Sequence, residues 1–313
     1  MIGLIVNPAS SKDIRRIVAL GRVVPAEEKV NVVARFLAGA GGGGTTAVRA
    51  LDDSAGLTRK AAEVARPYGG PTLSWLPVAA TGRETDTVQA AAALREEGAD
   101  LVAVVGGDGT IRAVVEGWPE APMLLLPAGT NNAFTGPTEP TVAGLAAAHI
   151  GDEAVRRAAL RRRLRLVVES PEGTTTAAVD AVGLDERWLA ARAVWRPEDL
   201  IEAVVARADP GGIGMVGVAA AFGELDEDHV RYLRFGPGQL VRVAFGPGLV
   251  KEVEVAEIED LPAGHPIPLS DRTGVVALDG ERRVVEGADT RVTGLAGPWE
   301  FDPRRALAAA FRA

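Results

Sequence analysis

The sequence predicts an α/β domain followed by an all-β domain, and three observations lead to this fold class. Apolar runs alternate with helical patterns along the first half of the chain, as in a doubly wound sheet. The run Leu101–Val105 is continuously apolar, which is typical of a parallel strand covered on both faces. In the second half of the chain, short strand-like segments follow one another between glycine and proline turns. We therefore predict a doubly wound α/β nucleotide-binding domain over 1–160, an antiparallel, β-sandwich-like domain over 161–300, and a terminal helix over 301–313 that returns to the first domain.

Composition limits the chemistry that this chain can perform. At 313 residues it is long enough for two ordinary domains, and its formal net charge is −8. The resulting field repels nucleic acid and anionic membranes, so we expect no nucleic-acid partner. The chain has no cysteine and three histidines, which excludes thiolate sites and argues against a histidine cage. Any metal would be held by oxygen ligands.

Neither apolar candidate segment has the properties of a membrane or export signal. Met1–Pro8 lacks the basic region of a signal peptide and is typical of a first strand. Pro210–Gly223 is uncharged but contains five glycines, and it is shorter than the roughly 18–20 apolar residues of a membrane helix. We expect a soluble, cytoplasmic protein without membrane insertion.

The segment with the strongest functional signal is Gly106-Gly107-Asp108-Gly109-Thr110, which follows Leu101–Val105 and precedes a helical pattern. A strand that breaks into glycines and restarts as a helix leaves unpaired N–H groups that suit a phosphate. The carboxylate of Asp108 would repel that phosphate unless it holds a metal or accepts a proton from a reacting hydroxyl. We interpret the segment as catalytic. A glycine-rich turn with Thr110 as helix N-cap explains the same residue types.

Two further loops follow apolar strands in the same half of the chain. Asn7–Lys12 comes after Ile2–Val6, and Gly129–Asn132 comes shortly after Met123–Leu126. Because the carboxyl ends of the strands share one edge in such sheets, we expect both loops to lie beside the Asp108 loop. Small side chains in the first loop would let its backbone approach a phosphate. An ordinary βα connection is the alternative.

Periodicity and turn residues predict the remaining elements. The glycine run Gly39–Gly44 formally fits a dinucleotide fingerprint, but it follows a helix instead of a strand, so we interpret it as a flexible loop. The predicted helices are Asp13–Val18, Glu27–Leu37, Ser54–Ala65, Thr85–Gly98, Val142–Ala148, Asp185–Ala208 and Pro303–Arg312. The predicted strands of the second half are Leu164–Glu169, Thr174–Val182, Ile213–Ala221, Leu240–Phe245, Val250–Ile258, Gly274–Leu278, Arg282–Glu286 and Thr290–Leu295.

Six arginines lie between Arg156 and Arg165, next to the predicted domain boundary. Such a run could bind polyphosphate or nucleic acid. In an acidic protein we favour a solvated helix face.

These motifs resemble those of a known kinase superfamily. Gly106–Thr110 after an apolar strand resembles the signature shared by NAD kinases, diacylglycerol and sphingosine kinases, and 6-phosphofructokinases. Within that superfamily, Asn7–Arg16, Glu28–Asn31, Gly129–Asn132 with Phe134, and Ala190–Trp195 resemble the ATP-NAD-kinase-like proteins called acetoin catabolism protein X.

The resemblance implies an ATP-dependent kinase with an NAD kinase-like fold, in which Asp108 activates a hydroxyl or helps to place Mg²⁺. It implies ATP and Mg²⁺ as cofactors, NAD as a substrate to test first, and a homo-oligomer, either dimer or tetramer. Glu281, in Asp279-Gly280-Glu281, is a candidate general base by the same resemblance, although a hairpin turn explains Asp-Gly equally well. The predicted nucleotide- and phosphate-binding residues are Asn7, Pro8, Ser10, Gly106, Gly107, Gly109, Thr110, Gly129, Thr130, Asn131 and Asn132.

Three departures from the family patterns keep other functions open. The segment Ala178–Ala181 lacks the Asn-Glu or Asn-Asp pair of NAD kinases, Asn132 stands where lipid kinases usually have aspartate, and Ser11 replaces a glycine. A lipid (diacylglycerol-type) or other alcohol kinase is one alternative. A non-catalytic nucleotide-binding regulatory protein is the other.

Overall fold

The structure is a computed structural model that describes residues 1–10, 19–21, 23–128, 138–185, 194, 196–286 and 289–312, with backbone alone for 281–286. The chain forms two compact units. The first comprises Met1–Ser10, Val24–Arg162 and Pro298–Ala313, and the second comprises Ser11–Val23 and Arg163–Gly297.

A parallel sheet forms the centre of the first unit. Its strands are β1 (Ile2–Val6), β2 (Ala47–Ala50), β3 (Thr72–Trp75), β4 (Leu101–Gly106) and β5 (Pro122–Pro127), in the order β3-β2-β1-β4-β5. Every residue of β1 and β4 is buried, as the lack of polar alternation predicts. At the end next to β5, Trp299 and Glu300 pair in parallel with Pro122 and Met123.

Helices cover both faces of this sheet. They are α1 (Ala26–Gly42), α2 (Leu57–Ala65), α3 (Glu84–Glu96), α4 (Asp108–Gly117), α5 (Pro140–Ala148) and α6 (Glu153–Ala159). Ile2 and Leu4 of β1 share a core with Phe36 of α1. Gly3 points to the opposite face, where a Cβ atom would lie 2.6 Å from the side chain of Leu94 in α3. The predicted doubly wound α/β architecture is confirmed.

The first four residues of the run Gly39–Gly44 are helical, so the predicted flexible loop is wrong for most of it. Helix α1 continues to Gly42, and its last turns pack tightly against neighbouring backbone. A Cβ atom at Gly39 would lie 2.1 Å from the carbonyl oxygen of Thr141, and one at Gly41 would lie 1.9 Å from that of Gly69. Glycine is present here because backbone approaches backbone, and this close packing offsets the poor helix propensity of glycine.

Helix α2 begins three residues later than predicted. Asp53 caps the first turn of this helix, because its carboxylate accepts hydrogen bonds from the backbone N–H groups of Leu57 and Thr58. The predicted first residue, Ser54, lies before the N-cap position, which Gly56 occupies. The predicted helix Asp13–Val18 and the predicted loop Gly129–Asn132 lie outside the described residues.

The second unit is mainly antiparallel. Its strands are β6 (Leu160–Ser170), β7 (Gly173–Ala177), β8 (Asp180–Leu184), β9 (Leu200–Val205), β10 (His229–Gly246), β11 (Leu249–Pro262), β12 (Pro266–Pro268), β13 (Val275–Leu278), β14 (Glu281–Glu286) and β15 (Arg291–Phe301). Six of them form a sheet in the order β11-β10-β9-β8-β13-β14. In addition, β6 pairs with β7, and β12 pairs with β15.

Two cores lie on the two faces of the six-stranded sheet. On one face, Val204 and Val276 pack with Leu166 of β6 and Val292 of β15. On the other face, Val205 and neighbouring strand residues pack against helix α7 (Met215–Ala220). Two packed sheets therefore form the sandwich predicted for the second half of the chain.

Two predicted elements of this unit have the wrong type. Within the predicted helix Asp185–Ala208, residues Leu200–Val205 form a central strand that is buried throughout and pairs with β8 and β10. The predicted strand Ile213–Ala221 is instead the short helix α7. Both are short apolar runs, for which periodicity does not distinguish a buried helix from a buried strand.

The arginine run is divided between a helix and a strand. Arg156 and Arg157 lie on α6, while the arginines from Arg161 onward lie on β6. The prediction that the whole run forms one solvated helix face is therefore wrong. Arg156 pairs with Asp100 at 2.6 Å, and Arg162 pairs with Glu120 at 2.9 Å. Carboxylates of the same chain therefore neutralise part of the positive charge of the arginine run.

The chain ends in helix α8 (Pro303–Ala310), whose Ala306 is buried in the core of the first unit. Its first turn is capped by Asp302, which accepts from the N–H groups of Arg304 and Arg305. In the part of the chain that the structure describes, no helix is long and apolar enough to span a membrane.

The packing of α1 predicts the effect of adding one methyl group. We expect Gly39→Ala to lower the free energy of unfolding by about 1–3 kcal/mol, because the new Cβ collides with the backbone at Thr141. Gly42→Ala is the matched control, since a Cβ atom at that position would have no neighbour within 4 Å. The control should leave stability unchanged or raise it by up to about 1 kcal/mol. Urea unfolding of the full chain measures both, and equal stability of the two variants would contradict the packing argument.

Candidate functional site

The end of β4 turns directly into helix α4. Gly106 is the last strand residue, Gly107 occupies the N-cap position, and Asp108 is the first helical residue. A Cβ atom at Gly106 would lie 2.3 Å from the hydroxyl oxygen of Thr110, so the turn requires glycine there. Because the helix begins at Asp108, Thr110 lies inside it, and the alternative interpretation with Thr110 as N-cap is wrong.

Asp108 lies where a helix attracts negative charge. Its residue is 5% exposed and belongs to the first turn of α4. The first N–H groups of a helix have no partner within the helix, and the helix dipole stabilises an anion beside them. Helix N-termini of this kind can bind phosphate oxygens, and phosphate binding by Gly106, Gly107, Gly109 and Thr110 stays a prediction.

Asn7 links the loop after β1 to this helix. Its backbone N–H donates to the carbonyl of Val105 in β4, and its side-chain Nδ2 donates to Thr110 Oγ1 at 2.8 Å. Its Oδ1 accepts from the N–H of Ala9 at 2.9 Å. The first and second predicted loops thus lie side by side, and the Asn7 side chain joins them.

Ser10 connects the first loop to the end of β5. Its hydroxyl lies 3.0 Å from both the carbonyl oxygen of Asn7 and that of Ala128, and Ala128 in turn donates its N–H to Gly106. Pro8 has no N–H to offer. In this structure Asn7, Pro8 and Ser10 shape the loop, and their contact with a nucleotide stays a prediction.

The third predicted loop lies outside the described part of the chain. Gly129, Thr130, Asn131 and Asn132 begin directly after Ala128, which is the last described residue of that segment. Their nucleotide-binding role stays a prediction.

Lys29 lies in the motif Glu28–Asn31, but the sequence analysis assigned it no role in the site. Its side chain lies on α1 and the residue is 2% exposed. The ammonium donates to the carbonyl oxygens of Asn7, Pro8 and Ser10 at 3.3, 2.9 and 2.8 Å. The sequence spacing could have shown that Lys29 is buried. Lys29 is four and seven residues before the buried Val33 and Phe36, so it shares their helix face.

The Asp279-Gly280 pair forms the hairpin turn between β13 and β14. Both residues have positive φ, 53° and 69°, as a two-residue turn of this kind requires. The Asp279 carboxylate is buried, and its Oδ1 accepts from the N–H groups of Ala178, Val179 and Asp180. Asp279 therefore fixes the connection from β7 to β8.

Glu281 is the first residue of β14, directly after this turn. Its side chain lies outside the described atoms. Its role as a general base stays a prediction.

A second buried carboxylate, Glu202, holds the interior of the sandwich. Its Oε1 accepts from the N–H of Ser270 and the hydroxyl of Thr273, both at 2.7 Å, and its Oε2 accepts from the Tyr232 hydroxyl at 2.9 Å. Burial raises the pKa of Tyr232, and the charge of Glu202 raises it further. Because donors surround the carboxylate, we interpret Glu202 as structural.

The Asp279 turn predicts a stability effect. We expect Asp279→Ala to lower the free energy of unfolding by about 2–4 kcal/mol, because three buried N–H groups lose a charged acceptor. Asp279→Asn keeps one acceptor oxygen and should cost less. The control is Asp271→Ala at an exposed position of the same unit, expected within about 0.5 kcal/mol of the parent. Denaturant unfolding measures all three, and a cost for Asp279→Ala no larger than the control's would refute this role.

Family models match two adjoining parts of the chain. The model for the acetoin catabolism protein X C-terminal domain matches residues 162–295. The model for the diacylglycerol kinase catalytic domain matches residues 53–162. The first unit thus carries a kinase-type sequence pattern that includes Asp108.

Two solved structures from Bacillus anthracis str. Sterne have weak similarity. A diacylglycerol kinase gives a TM-score of 0.43 at 14% identity, with 97% of each chain covered. A candidate diacylglycerol kinase gives 0.47 at 13% identity, covering 97% of this chain and 98% of that one. At these values neither structure bears on the function of this chain.

A full-length relative gives the firmest assignment. Acetoin catabolism protein X of Cupriavidus necator is 34% identical over 310 residues, which cover 94% of this chain and 86% of the relative. Identity at this level over nearly the whole length establishes common descent, and the resemblance inferred from the motifs is confirmed. The chain belongs to the acetoin catabolism protein X family.

Proposed function

We propose that this protein transfers a phosphoryl group from ATP to a hydroxyl group of a small molecule. One observation carries the proposal: a buried carboxylate, Asp108, lies in the first turn of a helix that starts at the carboxyl end of a parallel strand. The match of residues 53–162 to the diacylglycerol kinase catalytic domain supports the same reaction class.

The chemistry needs little more than positioning and neutralisation of charge. The N-terminal amides of α4 bind phosphate oxygens, and Asp108 accepts the proton of the attacking hydroxyl. The hydroxyl oxygen then forms a bond to the γ-phosphorus while the bond from that phosphorus to the bridging oxygen breaks, and ADP leaves.

Asp108 is also suited to hold Mg²⁺. A carboxylate oxygen is the ligand that Mg²⁺ prefers, and kinase sites combine one or two carboxylates with substrate phosphates. When bound, Mg²⁺ would neutralise charge on the transferred group. If Asp108 serves the metal, Glu281 is our candidate for the base, on the resemblance of Asp279-Gly280-Glu281 to lipid kinases alone.

Two acceptor classes follow from different observations. The sequence motifs favour NAD, whose ribose hydroxyl would be the acceptor. The match to the diacylglycerol kinase catalytic domain favours a lipid or other alcohol. Both classes share the donor, the metal and Asp108, so one set of assays compares them.

The test is a screen with ATP and Mg²⁺ against NAD, diacylglycerol in mixed micelles and small alcohols. We expect ADP release that depends on one acceptor, with a phosphorylated product seen by mass spectrometry. Asp108→Asn should reduce that turnover by about 10²–10⁴-fold, because the carboxylate supplies acid–base chemistry. Glu63→Gln, at an exposed position on α2, should leave turnover unchanged.

The outcomes separate the possible functions. Full turnover in Asp108→Asn would contradict the role of Asp108. Calorimetric binding of ATP without ADP release for any acceptor would instead support a nucleotide-binding regulatory protein.

A further inference from the structure

We infer that Lys29 is the positioning residue of the nucleotide site, acting through the loop Asn7–Ser10 without touching the substrate. This inference rests on the proposed function, because it concerns the same site. It assigns to a buried lysine a role that packing alone does not explain.

Lys29 occupies a position that otherwise favours an apolar residue. Its neighbours on the inner face of α1, Val33 and Phe36, are fully buried, and Lys29 itself is 2% exposed. Burying an ammonium costs free energy unless acceptors replace its water. A methionine would fill the same space without that cost, so we infer that the charge of Lys29 has a function beyond packing.

The three hydrogen-bond acceptors of the Lys29 ammonium indicate that it orders the loop. The carbonyl oxygens of Asn7, Pro8 and Ser10 converge on one ammonium, within 2.8–3.3 Å. Three carbonyls of a four-residue stretch meet only if the backbone curls around the cation. Since carbonyl oxygens repel phosphate oxygens, directing their negative ends to Lys29 also makes the loop compatible with an anion.

The position of the loop is transmitted to Asp108 through Asn7. Lys29 holds the Asn7 carbonyl, and the Asn7 side chain donates to Thr110, which lies two residues after Asp108 in α4. A shift of the loop would therefore change the N-terminus of α4. We conclude that loss of the Lys29 charge impairs nucleotide binding before it impairs folding.

The test compares Lys29→Met, Lys29→Arg and the control Lys60→Met in the full chain. Lys60 is exposed on α2 of the same unit. Two readouts are needed: amide hydrogen exchange of residues 7–10 relative to β4, and calorimetric affinity for ATP with Mg²⁺. In Lys29→Met we expect faster exchange at residues 7–10 alone and an affinity at least about tenfold lower, the scale of one lost charge-assisted hydrogen bond. Lys29→Arg should restore most of the affinity, and Lys60→Met should match the parent.

Other results overturn the inference or show that the proposed function itself fails. Unchanged ATP affinity in Lys29→Met would refute the positioning role. Equally faster exchange in β4 would show a general structural role instead. If the parent protein does not bind ATP, the proposed function fails first, and the exchange data then report the loop alone. Should Lys29→Met fail to fold, Thr110→Val breaks the next hydrogen bond of the path and must give the same loss of affinity.

Discussion

The candidate site depends on one hydrogen bond, from the Asn7 side chain to the hydroxyl of Thr110. It joins the loop after β1 to the helix after β4, two segments that are about a hundred residues apart in sequence but adjacent in the parallel sheet. The bond places the Thr110 hydroxyl against the backbone of Gly106, which leaves no room for a side chain there. Asparagine, threonine and glycine therefore constrain one another, and Asp108 takes its place in the turn that they fix.

The buried carboxylates lie in different surroundings. Asp279 and Glu202 in the second unit are surrounded by donors from backbone and side chains, so each holds strands together. Asp108 lies at a helix N-terminus, where negative charge is stabilised and where a phosphate would also be attracted. A carboxylate at that position can hold a cation or take a proton, which is why it is the candidate for catalysis.

The sequence was most informative where one physical signal dominated. The apolar runs of β1 and β4, the Asn-Pro turn after β1 and the glycines after β4 predicted the strands, the turn and the adjacent loops. It was least informative where packing overrode local preference. Gly39 and Gly41 are helical because neighbouring backbone lies against them, and Leu200–Val205 is a strand because two partners pair with it. Lys29 lies in a motif that the sequence analysis named, but its role was not predicted because the acceptors of a buried lysine are set by tertiary structure, which the sequence does not display.

The path of the chain through the first unit has a consequence for biosynthesis. Residues Trp299 and Glu300 pair in parallel with β5, and Ala306 of α8 is buried in the core of the same unit. These residues are translated after the whole second unit. Although domains often fold as they emerge from the ribosome, the first unit reaches its final form only after the second unit has been translated. An unfinished chain thus carries the Asp108 loop on an incomplete sheet, so a fragment that ends at the sequence boundary near residue 162 is a poor substitute for the intact protein.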